Sequence, residues 1–525
     1  MLLIEKNKNF SRFFCWHIND IQGTDQVTTN RIMNNTTIFQ FFHWYIRPED
    51  NLWNKAGEQA KFLSNLGITH VWLPPAYKSA YGLDEPGYAV YDLYDLGEFH
   101  QKNTVRTKYG IRAELVAAIN SLHDNGIQVI EDVVLNHRHG ADEQENVCVQ
   151  LVHSHDRNEM KNEPEELKIW SRFTFPGREK EYSDFIWDFH CFTGMSEDSE
   201  NIYLIKNEYT DAGWEEMLED ENGNYDYLMG LDIEFRNPHV REELIKWGKW
   251  LINSTQVDGF RLDALKHIHF GFYNEWLDAM KEHLKKDFLC IGEYWRNDVT
   301  VLKNYIFATG DRVSLFDVPL HYNFHDASQK GGGYDLTRIF EHTLVLDNPY
   351  RAITFVDNHD TQPMQSLESF VDEWFKPLAY ALILLRHHGI PCVFYPAMYG
   401  ADYAGHYEHG AVEIKLSPVP ALESMIRARK DYCDGELRDY FDNPQCIGWT
   451  YSGTGERKHS GLAVLLSNDA ANQKRMEMGK ENAGKILKNI SDDSQKIKLD
   501  EEGAGVFPVG ERNISVWVKE EALIN

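Results

Sequence analysis

Cysteine and positive charge are both scarce in this sequence, and each shortage excludes a class of protein. Only seven of the 525 residues are cysteine, and they are widely scattered without a Cys-x-x-Cys pair. That pattern argues against a disulfide framework or a zinc site and favours reduced interior thiols. Lys and Arg number 53 against 82 Asp and Glu, for a net charge of −29. So acidic a chain repels nucleic-acid phosphates and anionic membranes, and we expect neither as a partner.

Long apolar runs, internal repeats and low-complexity tracts are also missing. No stretch is long enough to span a membrane, and Glu5, Lys6 and Lys8 interrupt the region where a signal peptide needs its apolar segment. We therefore expect a cytoplasmic protein. Residues 1–35 are weakly patterned and are interpreted as a leader, either disordered or translated from upstream of a natural start at Met33.

Aromatic residues are abundant, with 14 Trp, 26 Tyr and 28 Phe. Such a surplus suits stacking on the flat apolar faces of sugars, and it suits large hydrophobic cores equally well. Composition alone does not separate these two interpretations.

Eight short runs of β-branched and aromatic residues alternate with helix-period segments. Parallel strands that alternate with helices and have strongly apolar interiors predict a (β/α)₈ barrel, also called a TIM barrel. The predicted strands are 38–44, 69–74, 128–137, 259–265, 287–295, 313–320, 352–359 and 390–396.

Two departures from this rhythm predict further domains. About a hundred residues follow the third strand, and a structureless loop of that length is uncommon, so we expect an inserted domain at 138–238. After residue 433 strand-like pieces alternate with polar turns, which predicts a C-terminal all-β sandwich over 434–525. The barrel itself is then expected to comprise 36–137 and 239–433.

Polar residues follow several predicted strands where packing gives them no reason to be. An acid at a strand end is usually a cap or turn residue. In a barrel, however, the carboxyl ends of all strands meet at one mouth, where catalytic groups lie. The residues concerned are Asp132, Asn136, His137, Arg261, Asp263, Glu293, Asp357, His359 and Asp360.

Three of these acids have the surroundings that glycosidic cleavage requires. Asp263 and Arg261 lie two residues apart, hence on one strand face, so the guanidinium is expected to lower the Asp263 pKa as suits a nucleophile. Glu293 lies between apolar and aromatic neighbours that should raise its pKa, as suits a proton donor. Asp360 could bind sugar hydroxyls or offset positive charge in the transition state.

These segments carry a family resemblance. DVVLNH, GFRLDALKH, GEYW and FVDNHD, on the third, fourth, fifth and seventh strands, resemble the four conserved segments of the α-amylase family, family 13 of the glycoside hydrolases. YDLYDLGEFHQKNTVRTKYG and FPGREKEYSDF are similar to segments of the bacterial liquefying α-amylases. The similarity runs from about residue 37 to about residue 519.

The resemblance implies a retaining enzyme that cleaves internal α-1,4 bonds of starch, glycogen and maltooligosaccharides. It makes Asp263 the nucleophile, Glu293 the general acid/base and Asp360 the transition-state stabiliser. The expected substrate-binding residues are Gln40, Tyr88, His137, Arg261, Lys266, His267, Trp295 and His359.

The resemblance also implies a structural Ca²⁺ between barrel and insert. The matching ligands are Asn136, Asp226, Asp232 and the main-chain carbonyl of His267, all of which offer oxygen to a hard cation. A second cation site of the liquefying relatives is incomplete here. Thr193 replaces an acid, and Arg236 lies beside Glu215 and Glu234, so we expect one Ca²⁺ and weak binding elsewhere.

Two alternatives stay open at this stage. The same scaffold could serve a 4-α-glucanotransferase or a maltooligosaccharide-forming amylase, because sugar can intercept the covalent intermediate in place of water. A non-catalytic glucan-binding protein is the other alternative, and the presence of all three acids argues against it. We expect a monomer whose partner is the α-glucan itself.

Overall fold

Eight parallel strands close into a barrel in the computed structural model, which describes residues 35–196, 201–407, 410–457, 459–492 and 494–523. Each strand lies within one of the eight predicted runs, and neighbours along the chain are neighbours in the barrel. The predicted barrel is therefore confirmed, while the predicted leader lies almost wholly outside the described residues. In chain order β1 to β8 are Ile38–Gln40, His70–Leu73, Gln128–Val133, Gly259–Leu262, Cys290–Gly292, Ser314–Phe316, Ala352–Phe355 and Ile390–Phe394.

Helices surround the barrel because their apolar faces pack against its buried strands. The longest carry regularly spaced buried positions, for example Leu244, Trp247 and Leu251 on one face of the helix before β4. In the described part of the chain α1 to α10 are Leu52–Leu66, Arg112–Asp124, Pro238–Thr255, Phe270–Leu284, Val299–Ala308, Val318–Lys330, Leu344–Asp347, Lys376–Leu384, Tyr395–Tyr399 and Leu422–Asp431.

A six-stranded sheet is inserted between β3 and α3. Its strands pair antiparallel, and its first and last strands lie close to the end of β3 and the start of α3. The insert therefore stands over the carboxyl end of the barrel. In spatial order its strands are His137–Arg138, Leu231–Ile233, Phe192–Ser196, Ile202–Ile205, Glu143–Leu151 and Glu165–Arg172.

The C-terminal part is built from β-strands that form two sheets, as predicted. A six-stranded sheet packs on a two-stranded one, and side chains such as Met476, Phe507 and Trp517 fill the space between them. The larger sheet is Leu437–Tyr440, Cys446–Tyr451, Leu462–Ser467, Asn513–Lys519, Ile486–Asn489 and Lys496–Lys498, and the smaller is Asn472–Glu477 with Ala504–Val509.

Two hairpins complete the described sheets. Lys78–Ser79 pairs with Val90–Asp92 after β2, and Ala401–Tyr407 pairs with Gly410–Leu416 after β8. No helix within the described ranges is long and apolar enough to cross a bilayer.

Candidate active site

A buried arginine at the centre of the barrel mouth gathers the acids. Arg261 lies on β4 with its side chain fully buried. Its Nη1 lies 2.7 Å from Asp263 Oδ1 and 2.9 Å from Asp132 Oδ1, and its Nη2 lies 3.3 Å from Glu293 Oε2. One guanidinium therefore holds carboxylates from three adjacent strands.

Main-chain hydrogen bonds continue past the strands and fix the two central acids. The amide of Asp263 donates to the Val133 carbonyl over 3.1 Å, and that of Glu293 donates to the Leu262 carbonyl over 2.9 Å. The Ala264 amide, in left-handed backbone, donates to Glu293 Oε2 over 3.2 Å. Both carboxylates are thus positioned by main-chain hydrogen bonds that extend the sheet of the barrel.

Burial dominates the charge states of the central acids. It raises the pKa of Glu293 to about 8, helped by nearby Asp263 and Asp360 and opposed by Arg261. Burial also raises the pKa of Asp263, while the Arg261 guanidinium lowers it. The predicted net lowering for Asp263 was wrong, because removal from water outweighs the ion pair. Asp263 makes the shorter contact with Arg261, so it is the acid that ionises first.

Asp360 enters the site from a turn after β7. The Asn358 side chain accepts hydrogen bonds from the amides of Asp360 and Thr361, both over 2.9 Å. Burial, with Asp263 and Asp132 nearby, raises the pKa of Asp360 to about 7. All three predicted catalytic acids consequently lie within electrostatic reach of Arg261.

Three nearly parallel rings form one wall of the site. Tyr88 lies 5.4 Å from Trp44 and 5.1 Å from His359 between ring centroids, with interplanar angles of 8° and 15°. The Tyr88 hydroxyl donates to Asp132 Oδ2 over 2.8 Å. Gln40 Nε2 lies 3.1 Å from His359 Nδ1, which leaves Gln40 Oε1 buried and unpartnered in the described structure. This wall offers an apolar face to a ligand.

The remaining predicted substrate contacts lie in different parts of the site. His137 Nε2 donates to the Tyr88 carbonyl over 2.9 Å and so belongs to the central group. Lys266 pairs with Glu221 of the insert and lies over the Tyr225 ring. Trp295 packs against His321 and Phe355.

Asp132 and Trp44 also belong to this site. The sequence argument placed Asp132 at the barrel mouth without giving it a role, and it did not name Trp44. Asp132 pairs with Arg261 in the β3–β4 register and accepts hydrogen bonds from Tyr88 and Trp72. Its place at the end of a buried strand was a usable signal. Trp44, just after β1, had no signal beyond its aromatic character.

A second polar group lies where the insert meets the barrel. Asn136, Asp226 and Asp232 are all buried. Asn136 Oδ1 and Asp232 Oδ2 have no hydrogen-bond partner in the described ranges. Burial and repulsion between carboxylates raise the pKa values of both Asp226 and Asp232 well above the ordinary range.

That chemistry fits a hard cation. Unpartnered amide and carboxylate oxygens beside mutually repelling acids are the ligands that Ca²⁺ prefers. His267 adjoins the group, with its Nδ1 2.8 Å from the Tyr225 carbonyl. Among the described residues no three side chains of His, Cys, Asp or Glu alone form a metal cluster. The fit therefore depends on amide and main-chain oxygens as well.

An arginine already neutralises one of the neighbouring acids. Arg236 makes two contacts with the fully buried Glu234, Nε to Oε1 over 2.7 Å and Nη2 to Oε2 over 2.6 Å. Thr193 Oγ1 lies 3.4 Å from the same carboxylate. Burial and the charge of Glu234 raise the pKa of Glu215 to about 7.

Comparison with known families gives two matches along the chain. The α-amylase catalytic domain matches residues 56–416, and the α-amylase C-terminal domain matches residues 462–518. Together these matches cover well over half of the sequence.

Individual relatives agree with the family matches. The cytoplasmic α-amylase of Escherichia coli K12 is 44% identical over 94% of this chain and 100% of its own length. An α-amylase of Bacillus licheniformis is 44% identical over 92% of this chain and 94% of its own. A crystal structure of a Geobacillus thermoleovorans α-amylase complexed with acarbose has a TM-score of 0.61 at 19% identity, over 93% of this chain and 98% of that one. At that identity the structural likeness concerns the fold.

Proposed function

The chain belongs to the α-amylase family, and from that membership we propose that it hydrolyses internal α-1,4-glucosidic bonds of starch, glycogen and maltooligosaccharides with retention of configuration. The observation that carries the proposal is the convergence of Asp263, Glu293 and Asp360 around Arg261. Glycoside hydrolysis requires one carboxylate and one carboxylic acid in the same site, and this group supplies both.

In the first step Glu293 gives its proton to the glycosidic oxygen. Its raised pKa keeps it protonated at neutral pH. As the bond to the leaving sugar breaks, the Asp263 carboxylate attacks the anomeric carbon and forms a covalent ester. Arg261 favours the ionised form of Asp263 because the two groups are 2.7 Å apart.

In the second step water releases the sugar. The Glu293 carboxylate left by the first step takes a proton from water, whose oxygen attacks the anomeric carbon and expels Asp263. Both acids then regain their starting states. Asp360 stabilises the positive charge that develops on the sugar ring in each transition state, and the Tyr88 ring supports the sugar from below.

The structural ion in our proposal is Ca²⁺, held by Asn136, Asp226, Asp232 and the His267 carbonyl. The unpartnered oxygens of Asn136 and Asp232 support this site. When bound, the ion would tie the insert to the barrel and contribute no chemistry to bond cleavage. Arg236 pairs with Glu234 at the neighbouring position, so we propose a single ion per chain.

Location and assembly are parts of the same proposal. We propose a cytoplasmic monomer. The Escherichia coli relative named a cytoplasmic α-amylase supports the location. The six described cysteines are all unpaired, which suits a reducing compartment. Light scattering and cell fractionation test these two points.

A time course on soluble starch tests the activity. Hydrolysis predicts a steady rise in reducing ends and early products of intermediate length, whereas transfer predicts redistributed lengths with little rise. Asp263→Asn should lower kcat by several orders of magnitude, by analogy with the loss of other essential nucleophiles. Near-normal turnover in that variant, with an unchanged thermal midpoint, would refute the mechanism.

A further inference from the structure

Four charged side chains of alternating sign join the insert to the loops that follow β4 and β5. Arg296 Nη1 lies 3.1 Å from Glu221 Oε2, and Arg296 Nε lies 3.2 Å from Glu219 Oε1. Lys266 pairs with the same oxygen of Glu221. These four residues are called the ion cluster below. Two cations and two acids make the cluster neutral as a whole.

The ion cluster lies close to two of the proposed catalytic acids along the chain. Lys266 follows Asp263 by three residues, and Arg296 follows Glu293 by three. The Leu265 amide donates to the Glu293 carbonyl over 3.0 Å, so the two loops are joined next to the cluster. A change in the cluster therefore acts on loops that begin at these acids.

The ion cluster is more shielded from water than an ordinary surface ion pair. The side chains of Lys266 and Glu219 are 11% and 14% exposed, and that of Arg296 is 42% exposed. The Tyr294 hydroxyl also donates to Glu219, over 3.0 Å. The hydrogen bond from Lys266 lowers the pKa of Glu221 below its ordinary value, so this acid is ionised at neutral pH. The exposed part of Arg296 keeps the cluster within reach of dissolved salt.

Arg296 is the residue that the two acids share. Within the described ranges no other side chain pairs with both Glu219 and Glu221. Without the guanidinium, two carboxylates of one short segment would repel each other, with Lys266 as the remaining cation. Glu221 would then shift, and Lys266 would follow the carboxylate with which it pairs.

We propose that Arg296 is a positioning residue, which holds Glu219 and Glu221 together and thereby fixes the place of the Lys266 ammonium. The inference rests on the proposed function and on the predicted role of Lys266 in substrate binding. Arg296 takes no part in bond cleavage. Because a glucan carries no charge, any dependence of its affinity on salt must come from charges of the protein itself. The ion cluster supplies such a dependence.

Salt and substitution of Arg296 together test the inference. Arg296→Met should raise KM for maltoheptaose about twofold to fivefold, the worth of a partly exposed ion pair, and leave kcat within about twofold. Between about 0.02 M and about 0.5 M NaCl the wild-type KM should rise about twofold, because salt screens the cluster. The KM of Arg296→Met should not respond. Arg296→Lys keeps the charge and should restore part of both effects.

Two control variants change charge outside the ion cluster. Arg312→Met breaks an ion pair with Asp278, between α4 and the start of β6. Asp220→Asn neutralises an exposed acid in the same segment of the insert. Both should keep the wild-type KM and its salt dependence. An unchanged KM in Arg296→Met, a wild-type KM that ignores salt, or an equal change in Arg312→Met would overturn the inference.

Hydrogen exchange measures positioning without any substrate. The amides of residues 219–223 should exchange faster in Arg296→Met than in the wild type or in Arg312→Met, because the segment loses the contacts that hold it. Equal exchange in all three proteins would also overturn the inference. Failure of the wild-type protein to hydrolyse any glucan would refute the proposed function instead, and hydrogen exchange would still decide whether Arg296 holds this segment.

Discussion

At the scale of single residues, Arg261 makes the protonation states of two largely buried acids, Asp263 and Glu293, differ. Its closest carboxylate contact is with Asp263, at 2.7 Å, and the contact with Glu293 is longer, at 3.3 Å. One charge placed unequally between two buried acids favours ionisation of the nearer one. The same residue therefore supports opposite protonation states in the proposed nucleophile and the proposed proton donor.

The pH dependence of the reaction follows from Glu293. As the proposed proton donor, Glu293 must be protonated, so activity should fall as pH rises through its pKa of about 8. We expect the alkaline limb of kcat/KM to lie near that value in the free enzyme. Glu293→Gln should lower activity throughout and remove this limb from whatever activity is left. An unchanged alkaline limb in the variant would assign it to another group.

At the scale of elements, the insert meets the barrel through a cluster of buried acids. Its negative charge is balanced by the proposed Ca²⁺ on one side and by an arginine on the other. Asp226 and Asp232 lie at the proposed Ca²⁺ position, and Glu234 is neutralised by Arg236. A guanidinium is part of the chain and cannot dissociate. The Glu234–Arg236 pair should therefore persist when the calcium concentration is low.

Calcium removal distinguishes the two halves of the cluster. A chelator should lower the thermal midpoint, and titration of the chelated protein should show uptake of one Ca²⁺ per chain. Arg236→Met leaves the buried Glu234 uncompensated and should cost about 3 kcal/mol. Arg438→Met, which removes an arginine paired with exposed acids, serves as the control. No change of midpoint with chelator would contradict a structural ion.

At the scale of the whole molecule, the C-terminal sheets are joined to the barrel by buried and partly buried polar contacts. The Asn468 amide donates to the carbonyls of Gly331 and Tyr334, both over 2.9 Å. Arg386 pairs with Asp439 through two contacts, and Trp449 donates to the Leu385 carbonyl over 2.7 Å. These contacts fix the relative position of the two domains.

Loss of the Asn468 contacts should be measurable as stability. Asn468→Ala removes both hydrogen bonds and leaves the Tyr334 carbonyl without this donor, whereas the Gly331 carbonyl still accepts from the Tyr334 amide. The change should cost about 1–3 kcal/mol of unfolding free energy. Gln473→Ala, at an exposed position of the same domain, should change it by less than about 0.5 kcal/mol. Urea unfolding of both variants provides the measurement. Equal stability of the two would show that the contacts add nothing.

Much of this architecture could be predicted from the sequence. The eight barrel strands were predictable because strand periodicity is local, and the acids at their ends were predictable because strand ends meet at one mouth. The roles of Trp44 and Asp132 could not be predicted from the sequence. They depend on which rings stack and which carboxylate shares a guanidinium across strands.

The amino-acid sequence by itself determined the barrel, the insert, the C-terminal sheets and the family, because periodicity and motifs lie within short stretches of chain. Only the tertiary structure decided the charge states and the wider binding site. The Asp263 pKa rises because burial, which depends on the whole fold, outweighs its neighbour Arg261. The unpartnered oxygens of Asn136 and Asp232 likewise come together only where the insert meets the end of β3.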